Sequence, residues 1–388
     1  MKRIAVVTAT RAEYGLLLPV IRALRARESA DFRAELIVTG THLSDEYGRT
    51  EQEIRERIDH RIPISVRNDS AADISANQAE TLVKFTELFA REAYDGVVLL
   101  GDRYETLAVA VAAGNTRTPV FHLCGGDTTE GAMDEWIRHA VTKISTLHFV
   151  TNEESRRRVI QLGEDPARVF NFGSTSIDNL QTQADMSREE ALASIGMPAD
   201  CRYALCTYHP VTMEAEDAGE KVMALIEAMK VFPELEFIIT GSNADRGGAR
   251  INRMLAEAEK TAGNLHLFAS LGVRRYLSLM KTAEFVLGNS SSGIIETPAL
   301  HVPTVDIGDR QRGRLAAESV IHCGETAEEI KAAIRTAMSD THRAVCRAAA
   351  NPYGSGNAGE RIAAKIAETV MAGSINLKKK FYDLENAE

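Results

Sequence analysis

The sequence predicts an α/β protein of two doubly wound, parallel-sheet domains facing a cleft. Short apolar runs of strand type alternate with helical patterns along most of the 388 residues. The alternation restarts after about residue 175. In both halves the polar and glycine-rich segments follow directly on the apolar runs, at the carboxyl ends of strands, where open parallel sheets bind ligands.

In the first half the strands are expected at Ile4–Thr8, Glu35–Val38, Gly96–Leu100, Val120–Leu123 and Leu147–Val150. Each is a short β-branched or aliphatic run, as expected for strands covered on both faces. Helical periodicity fills the gaps at Leu16–Ala26, Ile74–Ala90 and Tyr104–Ala113. The second series has strands at Tyr203–Thr207, Glu236–Thr240, Leu265–Phe268, Ala283–Leu287 and Thr304–Ile307. Its helices are expected at Lys221–Val231, Arg250–Thr261 and Arg274–Lys281. Loop residues Gly163-Glu-Asp-Pro166 and Gly173-Ser-Thr-Ser176 mark the boundary. The domains are therefore expected at 1–175 and 176–365, with 366–388 as a helix end and tail. A last helix spans Asn357–Ala372, and Lys378-Lys-Lys380 is expected as a solvated tail.

Composition narrows the function. Hydrophobic residues make up 44% and charged residues 26%, as in ordinary globular proteins. A net charge of −10 argues against nucleic acid as a partner, since phosphate backbones need a basic surface. Five cysteines, with no CxxC pair, fit reduced thiols and a cytoplasmic location. The apolar run after Met1-Lys2-Arg3 is short and lacks a cleavage pattern, so a first strand is expected there and not a signal peptide. No stretch reaches transmembrane length, and no membrane partner is expected.

The most informative segment is Gly288-Asn-Ser-Ser-Ser-Gly-Ile-Ile-Glu-Thr-Pro298. It reads as a strand end, a tight turn and a helix start, a combination suited to an anion. Ser290, Ser291 and Ser292 offer hydroxyl donors, and Gly293 permits close approach to the backbone. Glu296 lies about one turn on, placed to accept from a ribose diol. Asp309-Arg-Gln-Arg-Gly-Arg314 follows the next strand and brings guanidinium groups, including Arg310 and Arg314, to the same end. A serine-capped helix after a core strand explains the serines alone. It does not explain Glu296 and the arginines, and a nucleoside diphosphate site does.

In the first half, Thr8-Ala-Thr-Arg-Ala-Glu-Tyr-Gly15 places Arg11 and Glu13 after the first strand. Arg11 suits a phosphate or sugar oxygen, and Glu13 suits a helix cap. No GxGxxG is present, which argues against a nicotinamide cofactor. Asp102, in Gly101-Asp-Arg-Tyr-Glu105, reads either as a helix cap or as a general acid or base. The stretch from His122 to His139 gathers Cys124, Asp127, Glu130 and Asp134 around Gly125, Gly126 and Gly131. Asp134 also fits a helix start, and His139 reads as a hydrogen-bonded structural histidine. The spacing of His122 and Asp127 is not that of metal ligands, so no metal is expected. His209, in Tyr208-His-Pro-Val-Thr212, is expected to contact a phosphate or to shuttle a proton. No GxSxG or P-loop lysine pattern occurs.

Taken in order, these segments resemble the hydrolysing UDP-N-acetylglucosamine 2-epimerase family of sialic-acid-type pathways. The matching residues are Thr8-Ala-Thr-Arg-Ala-Glu-Tyr14, Leu100-Gly-Asp-Arg103, Ile137-Arg-His-Ala140 with Thr142-Lys143, His209-Pro-Val-Thr212, Asn289-Ser-Ser291 with Gly293 and Glu296, and Arg310-Gln-Arg-Gly-Arg314. The likeness runs from about residue 3 to about residue 365. It implies two Rossmann-like domains in the glycosyltransferase-B architecture and a UDP-linked N-acetylhexosamine as substrate. It also implies release of UDP and a free sugar of N-acetylmannosamine type. No cofactor is implied, and a homodimer or homotetramer is expected. By this resemblance Asp102 and Asp134 are acid/base carboxylates, with His209 and Arg11 serving the diphosphate. Asn289, Ser290, Ser291, Gly293, Glu296, Arg310 and Arg314 bind UDP.

One position departs. Sialic-acid members of the family carry a glutamate where this chain has Cys124. Either Asp127 or Glu130 takes over its role, or the sugar differs, as in the branch acting on 4-acetamido-6-deoxy sugars.

Overall fold

A computed structural model describes residues 1–67, 70–129, 133–210, 218–242 and 248–384. Thirteen strands form two parallel sheets among these residues. The first sheet contains β1 (Lys2–Thr8), β2 (Phe32–Thr39), β3 (His60–Ile62), β4 (Gly96–Leu100), β5 (Val120–Leu123), β6 (Leu147–Val150) and β7 (Val169–Asn171). Its spatial order is β3-β2-β1-β4-β5-β6-β7. The second contains β8 (Tyr203–Thr207), β9 (Glu236–Thr240), β10 (Leu265–Phe268), β11 (Val286–Gly288), β12 (Thr304–Ile307) and β13 (Val320–Cys323), ordered β10-β9-β8-β11-β12-β13. In each sheet the strand order reverses at one place, between β1 and β4 and between β8 and β11. Loops leaving those two strands part in opposite directions and open a crevice at their carboxyl ends.

The strands of the first sheet are buried on both faces, and alternation along β1 shows how. Ile4 and Val6 pack under the helix Arg11–Arg25 and the last helix, Ala358–Met371. Ala5 and Val7 pack on the other side against Ala71–Glu92 and Tyr104–Asn115. Each fully buried aliphatic or aromatic side chain in such a layer contributes about 1.5–3 kcal/mol. In the second sheet Ala204, Cys206 and Phe237 belong to one core with Val222, Leu255 and Ile334 from three covering helices.

β3, β7 and β13 are absent from the expectation. They are edge strands of three or four residues, His-Arg-Ile, Val-Phe-Asn and Val-Ile-His-Cys, too short and too polar to register as apolar runs.

The chain divides into two compact units. The first comprises Met1–Thr128, Met133–Asp178 and the chain from Gly356 onward, and the second centres on Asn179–Ser355. The expected second domain, 176–365, is therefore corrected at its far end. The helix Ala358–Met371 returns to the first unit and packs along Arg11–Arg25. Asp178 fixes its start, with carboxylate oxygens accepting from the backbone N–H of Ala358 at 3.0 Å and of Gly359 at 2.7 Å. A carboxylate placed there also complements the helix dipole. The expected solvated tail is corrected too. Lys379 reaches the buried carboxylate of Glu164 at 2.5 Å, and Tyr382 N–H donates to Gly163 O at 2.9 Å.

Candidate functional site

In the first unit the crevice between β1 and β4 is built around charge. Thr10 caps the helix Arg11–Arg25, and Glu13 returns the bond in a capping box. Glu13 Oε2 accepts from Ala9 N–H at 2.8 Å and from Thr10 N–H at 3.1 Å. The cap expected of Glu13 is thus present, but the same carboxyl is also buried, and burial pushes its pKa up to about 7 against the pull of Arg103. Arg103 is bound to Glu105 through Nε at 3.1 Å and Nη2 at 3.2 Å. Arg11 opens the helix on the exposed side, 3.7 Å from Glu53.

Asp102 does not cap the helix that follows it. The N-cap position is Arg103, without a side-chain cap bond. The Asp102 carboxylate is held instead by Arg138, with Nε at 2.8 Å and a second, closer contact from Nη2. Arg138 is 1% exposed, and its Nη1 also donates to Asp127 O at 2.7 Å and to Glu135 at 2.8 Å. Burial opposes its charge, but these acceptors win and its pKa is raised. Sequence reasoning quoted Arg138 only as part of a motif. Its role as the anchor of Asp102 depends on a contact 36 residues away, which no local pattern reports.

His122 sits on β5 with both faces covered. Its Nε2–H donates to Gly101 O at 2.8 Å, tying β5 to the turn that presents Asp102. Burial drops its pKa to about 3, so the ring is neutral and is no cationic neighbour for Cys124. Cys124 follows β5 with φ +64, a left-handed conformation that a non-glycine residue adopts at a cost of about 1–2 kcal/mol. Asp127 is held by the segment that follows β6, where its Oδ1 accepts from Ser155 Oγ at 2.6 Å and Thr151 Oγ1 at 3.3 Å. Asp134 lies exposed in the first turn of the helix Met133–Ile144. On the same helix His139 pairs with Glu135 at 3.0 Å. Glu130 lies outside the described residues.

In the second unit the crevice between β8 and β11 is closed at its base by backbone. Gly288 ends β11 at φ +130, and a Cβ there would meet Thr207 O at 2.0 Å. Only glycine lets the two strands run so close. Beyond it, Asn289 is 1% exposed and binds the main chain of His209 on both sides. The Asn289 carbonyl accepts from Arg310 Nη1 at 2.9 Å and Gln311 Nε2 at 2.8 Å. Three loops, after β8, β11 and β12, are thereby locked to one residue. Gln311, 3% exposed, was not singled out by the sequence.

Ser291 occupies the N-cap of the short helix Ser292–Ile295 without spending its hydroxyl on a cap bond. Ser290 Oγ accepts weakly from Ser292 N–H at 3.4 Å. Gly293 also has a packing reason. Its Cβ direction is filled by Thr304 Cγ2 at 2.7 Å, so the glycine serves packing against β12. Glu296 ends that helix and is half-buried. Tyr276, on Gly272–Thr282, was missed because an aromatic inside an amphipathic helix reads as core. Its hydroxyl lies 3.4 Å from Thr207 Oγ1, beside the Ser292 hydroxyl and the Glu296 charge, and burial raises its pKa. Arg314 is half-buried at the end of the turn after β12, where Arg314 N–H donates to Gln311 O at 3.1 Å. His209 Nδ1 is 3.5 Å from Ser242. Among the described residues no group of three His, Cys, Asp or Glu side chains could hold a metal ion.

The family model described as UDP-N-acetylglucosamine 2-epimerase matches residues 23–367. The chain belongs to the UDP-N-acetylglucosamine 2-epimerase family. One relative, from Campylobacter jejuni, is the GDP/UDP-N,N'-diacetylbacillosamine 2-epimerase (hydrolyzing), 38% identical over 82% of this chain and 84% of that protein. Polysialic acid biosynthesis protein P7 of Escherichia coli is 35% identical over 99% of this chain and 98% of its own. The crystal structure of UDP-GlcNAc 2-epimerase from Neisseria meningitidis bound to UDP-GlcNAc superposes with a TM-score of 0.80 at 21% identity, covering 95% of this chain and 100% of that one. That likeness shows the fold, two parallel-sheet α/β domains of the glycosyltransferase-B kind. The matched region takes in Asp102, Arg103 and Arg138 of the first unit and the locked loops of the second, whereas Thr10, Arg11 and Glu13 precede it. Among the described residues no helix is long and apolar enough to cross a membrane.

Proposed function

We propose that the chain is a hydrolysing UDP-sugar 2-epimerase, which converts a UDP-linked 2-acetamido hexose to UDP and the free 2-epimeric sugar. The observation that carries this reading is the Asp102–Arg138 pair. A carboxylate stands at the carboxyl end of β4, oriented by a buried guanidinium and not consumed as a helix cap. Such a group is suited to proton transfer at carbon.

The reaction this asks for balances without an external oxidant. One group removes the proton from C2, the C–H electrons form the C1=C2 bond, and the C1–O bond to UDP breaks with its electrons leaving on the diphosphate. Water then adds its hydroxyl to C1, and a proton reaches C2 from the face opposite the one that lost it. Asp102 and Asp134 are assigned these two proton transfers. Asp127 or Glu130 is assigned the role of the family glutamate that Cys124 replaces, and the engagement of Asp127 by Ser155 and Thr151 favours Glu130. Arg11 and His209 are assigned to the leaving diphosphate, and Ser290, Ser291, Glu296, Arg310 and Arg314 to UDP. Asn289 and Gly293 are assigned to holding the loops that present those groups.

A second reading keeps the chemistry and changes the sugar to UDP-N,N'-diacetylbacillosamine. The activity named for the Campylobacter jejuni relative and the thiol of Cys124 in place of a glutamate support it.

Purified protein in D2O with UDP-N-acetylglucosamine, and separately with UDP-N,N'-diacetylbacillosamine, tests both readings by NMR. UDP and a free sugar carrying deuterium at C2 are expected from one of the two. A product still linked to UDP means epimerisation without hydrolysis, and free sugar without deuterium at C2 rules out elimination.

A further inference from the structure

The first unit carries a second concave site at the opposite, amino-terminal edge of its sheet. A cleft of about 190 Å³ opens where β6 and β7 begin, against the last helix and the tail that follows it. We propose that this cleft binds a small oxyanion-bearing molecule, a carboxylate or a phosphate.

The cleft is basic. The ten lining residues include Arg168 and Lys365 and no acid, in a chain whose net charge is −10. Arg168 gives one N–H to Asn376 O at 3.1 Å and makes no ion pair among the described residues. A guanidinium has five N–H donors, so most of its fork remains for an acceptor. The Lys365 ammonium stands 5.2 Å from the Phe170 ring centre and 3.2 Å from Glu368 on its own helix.

The neighbourhood adds to the excess. Lys143 and Lys379 share the single buried carboxylate of Glu164, at 2.6 and 2.5 Å. Glu164 also accepts from His148 Nε2–H at 3.0 Å, and burial lowers the pKa of that ring against the pull of Glu164. Two ammonium groups therefore meet one negative charge beside Arg168. Burial lowers the pKa of Lys379 against the pull of Glu164, and repulsion from Lys143 and Arg168 adds to the lowering. An anion in the cleft relieves that repulsion.

One wall of the cleft is held in place. Ser374, Ile375 and Asn376 line the cleft, and the tail just beyond them is latched by Lys379 and by Tyr382. Phe381 packs over Gly163, where an added Cβ would meet its ring at 2.4 Å. A strap so anchored gives the site a fixed side.

Isothermal titration of the full-length protein saturated with UDP, with inorganic phosphate and separately with citrate, tests the proposal. Saturable binding of at least one probe is expected, weakened about tenfold or more by Arg168→Gln and several-fold by Lys365→Met. Neither substitution touches the crevices at the strand carboxyl ends, so binding there is unaffected. Phosphate alone binding identifies a phosphate ligand, and citrate alone a carboxylate. If neither probe saturates, or if binding survives both substitutions unchanged, the proposal is wrong. Lys365→Met keeps the test decisive should Arg168→Gln loosen the tail.

Discussion

Asn289 and His209 are joined by two hydrogen bonds of 2.8 Å, one in each direction: His209 N–H donates to Asn289 Oδ1, and Asn289 Nδ2–H donates to His209 O. The side-chain amide copies a strand partner just where β8 and β11 stop pairing. The loop bearing His209 thus continues the sheet's register for one residue more.

Replacing Asn289 with alanine removes both partners and leaves a backbone donor and acceptor unsatisfied near a buried position. A loss of about 1–3 kcal/mol in unfolding free energy is expected from denaturant titration. An unchanged midpoint would show that water replaces the amide at no cost.

Asp102→Asn is expected to keep the fold and UDP affinity while lowering turnover by about two to four orders of magnitude, the range for a lost acid or base. Arg138→Gln is expected to lower turnover and also to destabilise the protein by about 3–5 kcal/mol, because Asp102 and Glu135 lose a buried partner. Asp102→Asn turning over within a few-fold of wild type would remove it from the chemistry.

Glu13 gives a pH dependence of stability. Its folded pKa, about 7, lies above the ordinary carboxyl value of 4.5. Between these values the folded protein holds a proton that the unfolded chain has released. Its contribution is thus complete below about 4.5 and fades as pH rises through about 7. Glu13→Gln is expected to flatten this part of the stability profile, measured by denaturant melts at intervals from pH 4.5 to 8. An identical slope in both proteins would mean that Glu13 is ionised throughout.

Glu296→Gln is expected to weaken UDP binding by about 1–3 kcal/mol, the value of a charge-assisted hydrogen bond. Calorimetry with UDP reads this directly, and unchanged affinity takes Glu296 out of the site.

Cys124→Ser is expected to retain most activity. The neutral His122 supplies no charge to activate the thiol, and a neutral thiol is a poor proton shuttle. Abolished deuterium incorporation at C2 in the Cys124→Ser protein would assign the sulfur a part in the chemistry.

The long central strands were legible because β1, β4, β8 and β9 are covered on both faces and must be nearly continuous apolar runs. Edge strands such as His60–Ile62 carry no such demand, and pairing alone defines them. At the candidate site, Asp102 and the serines were legible because loop chemistry after a strand is local in sequence. Arg138, Gln311 and Tyr276 were not, since each acts on a residue at least 22 positions away or lies in an ordinary helix face. Gly293 was legible as an exception, but its cause, Thr304 on the next strand, appears only in three dimensions.

The return of residues beyond Gly356 to the first unit has a consequence for synthesis on the ribosome. The segment Asn179–Ser355 is one uninterrupted stretch and can close its core as soon as it has emerged. The unit made first must wait, because Leu17, Val20 and Leu24 share their core with Ile362 and Ile366. Asp178, made halfway through, holds an open helix-start site until residues 358 and 359 arrive. Translation from the amino end therefore completes this protein out of order, with the second unit finished before the first.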